Sequence, residues 1–236
     1  WRARQGEAGW IGFVSLGLAI GAGFLAKYAM LYFVIGLALI IIFDGPSRRH
    51  FLSLKGVATA LTALAVFAPH LVWNAQNDFA TVGHTVDNAN LGGDLFNPEH
   101  AFKFLADQMG VFGPISFLGL VAGLTFMNRT VSGEAARKEL WLACFIVPVL
   151  AIILGQSILS RAHANWAATA YPAASVFIAL VFLRAKTNRS LWFWIAGLTA
   201  FGCLLIPDFT IMARLGLGLT FAAAITAAAF LARFKP

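Results

Sequence analysis

The chain has 236 residues, 60% of them hydrophobic and 11% charged, with a mean hydropathy of +0.79 and a formal net charge of +7. That composition excludes the soluble globular classes and fits an integral membrane protein. The apolar runs lack period-two alternation, so an outer-membrane barrel is set aside and an all-α polytopic bundle of about eight transmembrane spans is expected.

Residues 1–9 are polar and carry Arg2 and Arg4. From Trp10 to Phe43 run 34 residues in which Lys27 is the only full charge. One helix of that length would reach roughly 50 Å, whereas about 20 residues already cross a bilayer. The run therefore reads as two spans, 10–26 and 28–43, with Lys27 and Tyr28 at the bend. Gly17 and Gly21 stand at the spacing of close helix packing. Asp44, Gly45 and Pro46 are turn chemistry, followed by the basic stretch Arg48, Arg49, His50 and Lys55.

A third span is expected over 56–73, broken near its end by Pro69. Residues 74–103 form the longest polar segment, with an irregular centre at 88–93. Further spans are expected over 104–127, 140–159, 166–183, 191–206 and 215–232, and a tight polar link at 160–165 precedes the sixth. Cys144 and Cys203 each lie inside an apolar run without metal-ligand spacing and read as small packing residues. The chain starts with Trp and shows no signal-peptide pattern, so it is expected to be an internal-to-C-terminal piece of a longer protein.

Counting by alternate connectors puts 13 of the 17 Lys and Arg residues on the side that holds both ends. The other side holds Lys27, Lys103, Arg161 and Arg214. By the positive-inside rule the basic side is cytoplasmic. The basic balance thus reflects topology, and nucleic acid is not an expected partner.

The outer face collects Lys27 and Tyr28, then His70, Trp73, Asn74, Asp78 and His84, then Arg161, His163, Asn165 and Trp166. A lysine near mid-membrane costs roughly 2.5–3.5 kcal/mol, which points to pairing, function or an interfacial position. Snorkelling of Lys27 to the headgroups beside an interfacial tyrosine is the plainer alternative. Lys27 and Arg161 together suit a phosphate or diphosphate, one as a point charge and one as a bidentate fork. Trp73, Trp166 and Tyr171 suit stacking on a sugar or isoprenoid, or an interfacial aromatic belt. His70, His84, His100 and His163 are scattered, so a divalent metal is unsupported and no cofactor is expected. Neither a nucleophile beside a base nor a phosphate-cradling glycine loop is visible.

At three of these stretches, 21–28 (GAGFLAKY), 69–80 (PHLVWNAQNDFA) and 161–171 (RAHANWAATAY), the chain resembles the GT-C-type glycosyltransferases that use polyprenyl-phosphate sugars. The likeness is to the bacterial family 39 and aminoarabinose-transferase-like proteins of the dolichyl-phosphate-mannose-protein mannosyltransferase superfamily, and it spans roughly residues 10–183. The resemblance implies a multi-pass inner-membrane enzyme with its active site on the periplasmic face. It would move a sugar from a polyprenyl-phosphate donor onto a lipid or protein acceptor. It also implies that Lys27, beside Tyr28, lies near the donor phosphate with Arg161 as its partner. Donor or acceptor contacts are expected from His163, Asn165, Trp166, His70, Asn74 and His84.

The family's catalytic carboxylate lies in the first periplasmic loop, a region that would precede Trp1. The catalytic base is therefore expected outside this chain, which alone should be inactive. Residues 1–236 are expected to form a single transmembrane domain, with 74–103 a periplasmic loop within it. A transporter or lipid flippase and a structural membrane subunit remain the alternative classes, although no internal repeat supports a transporter.

Overall fold

The computed structural model describes residues 1–89, 96–130, 133–160 and 162–185, and the regular elements among them are all helical. The expected spans at 191–206 and 215–232 lie outside these residues. The described residues fall into two compact units, one before and one after residue 93, each described by itself.

In the first unit, α1 (Trp10–Ala26) and α2 (Met30–Phe43) flank the Lys27 turn, α3 (Gly45–Phe51) is a short basic helix, and α4 (Leu54–Gln76) and α5 (Ala80–Ala89) follow. Helix α1 packs along α4, and glycine makes that approach possible. A Cβ on Gly17 would stand 2.5 Å from the Thr59 carbonyl oxygen, and one on Gly21 would stand 2.6 Å from Val66 Cβ. The backbones meet where only small residues fit, as membrane helices without a hydrophobic drive between them require. Thr59 Oγ1 donates to the Phe13 carbonyl at 2.8 Å across the same seam, and the Phe13 ring meets Phe51 edge-on at 5.5 Å.

Pro69 does not break the third span. Helix α4 continues through it to Gln76. A proline removes one backbone hydrogen bond and crowds the preceding turn, but membrane helices absorb this where their neighbours re-satisfy the backbone. The extension carries Asn74 on the helix with His70. The polar segment after it is also largely helical, occupied by α5 and the start of the next helix.

Helices α2 and α3 meet at 116°. Asp44 stands at the junction and caps α3, accepting from Ser47 N at 3.0 Å and Ser47 Oγ at 2.5 Å. Arg4 Nε donates to both of its oxygens, at 3.1 and 3.0 Å, and so ties the N-terminal lead-in to this corner.

The second unit contains α6 (Pro98–Phe112), α7 (Pro114–Thr130), α8 (Gly133–Leu159), a 3-10 segment (Ala164–Ala170) and α9 (Tyr171–Ala185). The single span expected over 104–127 is two helices bent by 114°. Gly113 explains the break: it takes φ +88°, a region that favours glycine, and Pro114 behind it has no N–H to continue the ladder. Helix α8 contributes Ile146, Val149 and Ile153 to the core of this unit, where Leu120 of α7 and Phe177 of α9 are also buried. Arg184 on α9 donates to Glu139 on α8, an ion pair whose carboxylate is buried and whose guanidinium is largely so.

Among the described residues, three helical segments, Leu54–Gln76, Gly133–Leu159 and Ala164–Arg184, are each long and apolar enough to cross a membrane, and up to five are if each bent pair counts as one. Their outward faces are apolar as well: Leu61 and Leu64 on α4 are 61% and 53% exposed. Water would penalise such a surface and lipid does not. The fold is a helical membrane bundle.

Candidate functional site

Helix α1 ends because Lys27 leaves helical geometry for an extended conformation (φ −165°, ψ 134°), while its N–H still reaches the Gly23 carbonyl at 2.9 Å. Its own carbonyl accepts from Met30 N at 3.0 Å as α2 begins. The Lys27 side chain is exposed and has no ion-pair partner among the described residues. Tyr28, next in the turn, points back into the unit.

Helix α4 presents His70 and Asn74 one turn apart on the face that Tyr28 reaches. Tyr28 Oη lies 2.9 Å from His70 Nε2 and accepts from Asn74 Nδ2 at 2.7 Å. Asn74 Nδ2 also stands 3.2 Å from His70 Nε2. On its other side, Asn74 Oδ1 accepts from Thr81 N at 3.2 Å. A backbone N–H only donates, so the Asn74 atom facing it is the oxygen, and the amide orientation follows from the network. The amide nitrogen then also only donates, which makes His70 Nε2 an acceptor and puts the imidazole proton on Nδ1. Two donors, the Asn74 N–H and the Tyr28 O–H, compete for that one lone pair. His70 Nδ1–H has no hydrogen bond among the described residues and remains available to a ligand.

The turn that brings Thr81 to Asn74 is unusual. Asp78 and Phe79 take φ +51° and +53° in succession, a region that a bulky residue such as Phe79 adopts only when its surroundings enforce it. Phe79 N bonds the Asn74 carbonyl at 2.9 Å, so both the main chain and the side chain of Asn74 anchor the reversal. Asn74 itself is 2% exposed.

An aromatic shelf adjoins the polar triad. The His70 and Trp73 rings stack at 6.0 Å with planes 14° apart, and Phe67 contacts both Tyr28 and His70. Trp73 is half exposed, which leaves surface for a sugar ring or an isoprenoid chain. A cation, an outward N–H and an aromatic face suit an anionic, partly apolar ligand.

His84, by contrast, lies exposed on α5 and pairs with Asn88 at 3.0 Å, not with the triad. In the second unit, His163 precedes the 3-10 segment that contains Asn165 and Trp166, and its ring meets Trp166 edge-on at 5.1 Å. Arg161 lies outside the described residues. Tyr171 differs from the expectation of a stacking surface: it is buried, its ring lies flat on Phe112 at 4.1 Å, and its hydroxyl donates to Gln108. Its position at the start of α9 turns it into the core.

Two anchors were missed in the sequence. Gln108 Nε2 bonds the Ala164 carbonyl at 3.3 Å, and His100 Nδ1 lies 2.7 Å from the Ser160 carbonyl, so α6 holds both ends of the link at 160–165. The one available signal was a glutamine inside an apolar run, which must find partners when buried. Among the described residues, no group of three or more His, Cys, Asp or Glu side chains is placed to hold a metal ion.

Residues 2–73 match the family model described as dolichyl-phosphate-mannose-protein mannosyltransferase, a stretch that includes Lys27, Tyr28, His70 and Trp73. A curated relative, the lipid A galacturonosyltransferase RgtD of Rhizobium johnstonii, is 36% identical over 200 residues, covering 83% of this chain and 40% of the relative. The chain thus spans about two fifths of the length of the relative it matches. No solved structure matches it.

Proposed function

We propose that this chain, which belongs to the GT-C-type glycosyltransferases, forms part of an enzyme that transfers a sugar from a polyprenyl-phosphate donor to a lipid or protein acceptor. The proposal includes its place: a bacterial inner membrane, with the reacting face periplasmic. One observation carries the reading above all. Among the described residues Lys27 has no counter-ion, and it stands next to Tyr28 of the Tyr28–His70–Asn74 network, in a turn between apolar helices where an unpaired cation is costly.

The chemistry gives that cation a task. An acceptor hydroxyl attacks the anomeric carbon, the bond from that carbon to the phosphate oxygen breaks, and the acceptor proton passes to a base. The donor is a phosphodiester with one negative charge; the polyprenyl phosphate that leaves carries more. Lys27 stabilises the charge that develops on the leaving phosphate, so its effect is larger in the transition state than in the ground state. His70 Nδ1–H contributes a second donor, Trp73 a face for the sugar or lipid, and Tyr28 and Asn74 hold the histidine in its tautomer. Arg161, His163, Asn165, Trp166 and His84 are proposed as further donor or acceptor contacts. No residue of this chain is assigned as the base.

The relative's name makes galacturonic acid and a lipid A acceptor the first pair to try. In membranes containing the complete protein, radiolabelled polyprenyl-phosphate sugar is expected to label the acceptor lipid or protein, and the corresponding nucleotide sugar is expected not to. Transfer from the nucleotide sugar alone would refute the donor. No transfer from any lipid-linked sugar would favour transport over transfer.

A further inference from the structure

We propose that α3 and the residues flanking it form a docking site for the phosphate headgroup of an anionic phospholipid. This inference is independent of the sugar-transfer reading and concerns the opposite end of α2 from Lys27. The turn of 116° between α2 and α3 is the first observation. A bend of this size turns α3 out of the axis of α2 and sets its basic residues apart from the apolar helix before it.

Charge is the second. Residues 45–55 contain Arg48, Arg49, His50 and Lys55 and no acidic residue. The carboxylate nearest in sequence, Asp44, is already engaged. Burial pushes its carboxyl up, but the Ser47 hydrogen bonds and the Arg4 guanidinium outweigh this and hold it below the usual carboxylate range. Neither Arg49 nor Lys55 has an ion-pair partner among the described residues, and the hydrogen bond of the Arg48 guanidinium is to the Ile42 carbonyl at 3.3 Å. The cationic charge is therefore uncompensated while the corner that carries it is fixed by Arg4.

Shape is the third. Gly45, Pro46, Arg48, Arg49, His50 and Leu52 line an open cleft of about 600 Å³. Beside it, Phe43, Leu52 and Leu54 are 69%, 68% and 76% exposed. Guanidinium groups over a cleft, rimmed by apolar side chains at the end of a span, match a headgroup phosphate with its acyl chains alongside. A soluble anion would use the cations and leave the apolar rim in water.

The test uses the complete protein in detergent, titrated with short-chain phosphatidylglycerol or phosphatidylcholine and read by lipid retention in native mass spectrometry. Phosphatidylglycerol is expected to bind preferentially. Arg49→Gln should weaken it about fivefold, and the triple change of Arg48, Arg49 and Lys55 to Gln should abolish the preference. Arg49→Lys, which keeps the charge, is expected to retain most binding, and Arg137→Gln, on exposed α8 surface, should change nothing. Equal retention of the two lipids, an unaffected triple variant, or an equal loss in Arg137→Gln would overturn the proposal. Displacement of the lipid by millimolar inorganic phosphate would overturn the choice of a lipid over a free anion.

Discussion

Asn74 is the residue on which the candidate site turns. Its amide donates to Tyr28, faces His70 and accepts from Thr81, and no other side chain offers both functions in that volume. Asn74→Ala would take a partner from the half-buried Tyr28 hydroxyl, His70 ring and Thr81 N–H, so a loss of about 1 kcal/mol or more is expected. Asn74→Asp keeps the size and the acceptor for Thr81 but removes the donor to Tyr28 and His70. It should therefore keep more stability than Asn74→Ala and still lose transfer. Melting in detergent, combined with an activity assay, separates the two: equal activity in Asp and wild type would show that the amide proton does not matter. Part of this was legible beforehand. Tyr28, His70 and Asn74 were all singled out for one face, but the span was expected to end at Trp73 with Asn74 opening the loop, so their meeting at i and i+4 on one helix was not legible. The Thr81 anchor was not legible, because it depends on two successive residues with positive φ at Asp78 and Phe79, of which neither type announces the turn. Tyr171 misled for a related reason: an interfacial tyrosine and a core tyrosine look alike until Gln108, 63 residues away, is seen to meet it.

At the scale of elements, apolar runs mark the helices well and their breaks poorly. The first span was expected to cover 10–26, and α1 does so, because Lys27 is both the charge that ends the apolar run and the residue that leaves helical geometry. The run at 104–127 conceals the bend at Gly113 and Pro114, since hydropathy does not register a positive φ. The reverse error occurred at Pro69, where a breaker was given more weight than the helix around it. The seam between α1 and α4 rests on Gly17 and Gly21, whose added Cβ atoms would meet the backbone oxygens of Thr59 and Ala63 at 2.5 and 2.8 Å. Backbone cannot rotate aside as a side chain can. Gly21→Leu is therefore expected to force the helices apart and cost about 1–3 kcal/mol or more, read as a lowered melting temperature in detergent. Gly110→Leu on α6, at an exposed position where an added Cβ meets nothing within 4 Å, should cost far less. Equal losses would show that the seam is not closely packed.

Across the whole molecule, the orientation proposed from the Lys and Arg distribution places Asp78 outside and Arg137 inside the cell. In a variant lacking Cys144 and Cys203, Asp78→Cys should react with a membrane-impermeant maleimide on intact spheroplasts, whereas Arg137→Cys should react only after lysis. The opposite pattern would invert the topology and move Lys27 to the wrong face for a periplasmic reaction. Both side chains lie on exposed surface, so burial does not interfere with the comparison.

The central claim is that Lys27 meets the donor phosphate, and its most direct measurement is sugar transfer by the complete protein with Lys27→Ala and Lys27→Arg at matched expression. The account predicts that Lys27→Ala lowers the transfer rate about 10²–10³-fold, as removal of one preorganised electrostatic partner does elsewhere. Lys27→Arg should recover part of it, because the charge is kept while the geometry is not. Transfer by Lys27→Ala at the wild-type rate would contradict the account and return Lys27 to a lysine that merely reaches the headgroups.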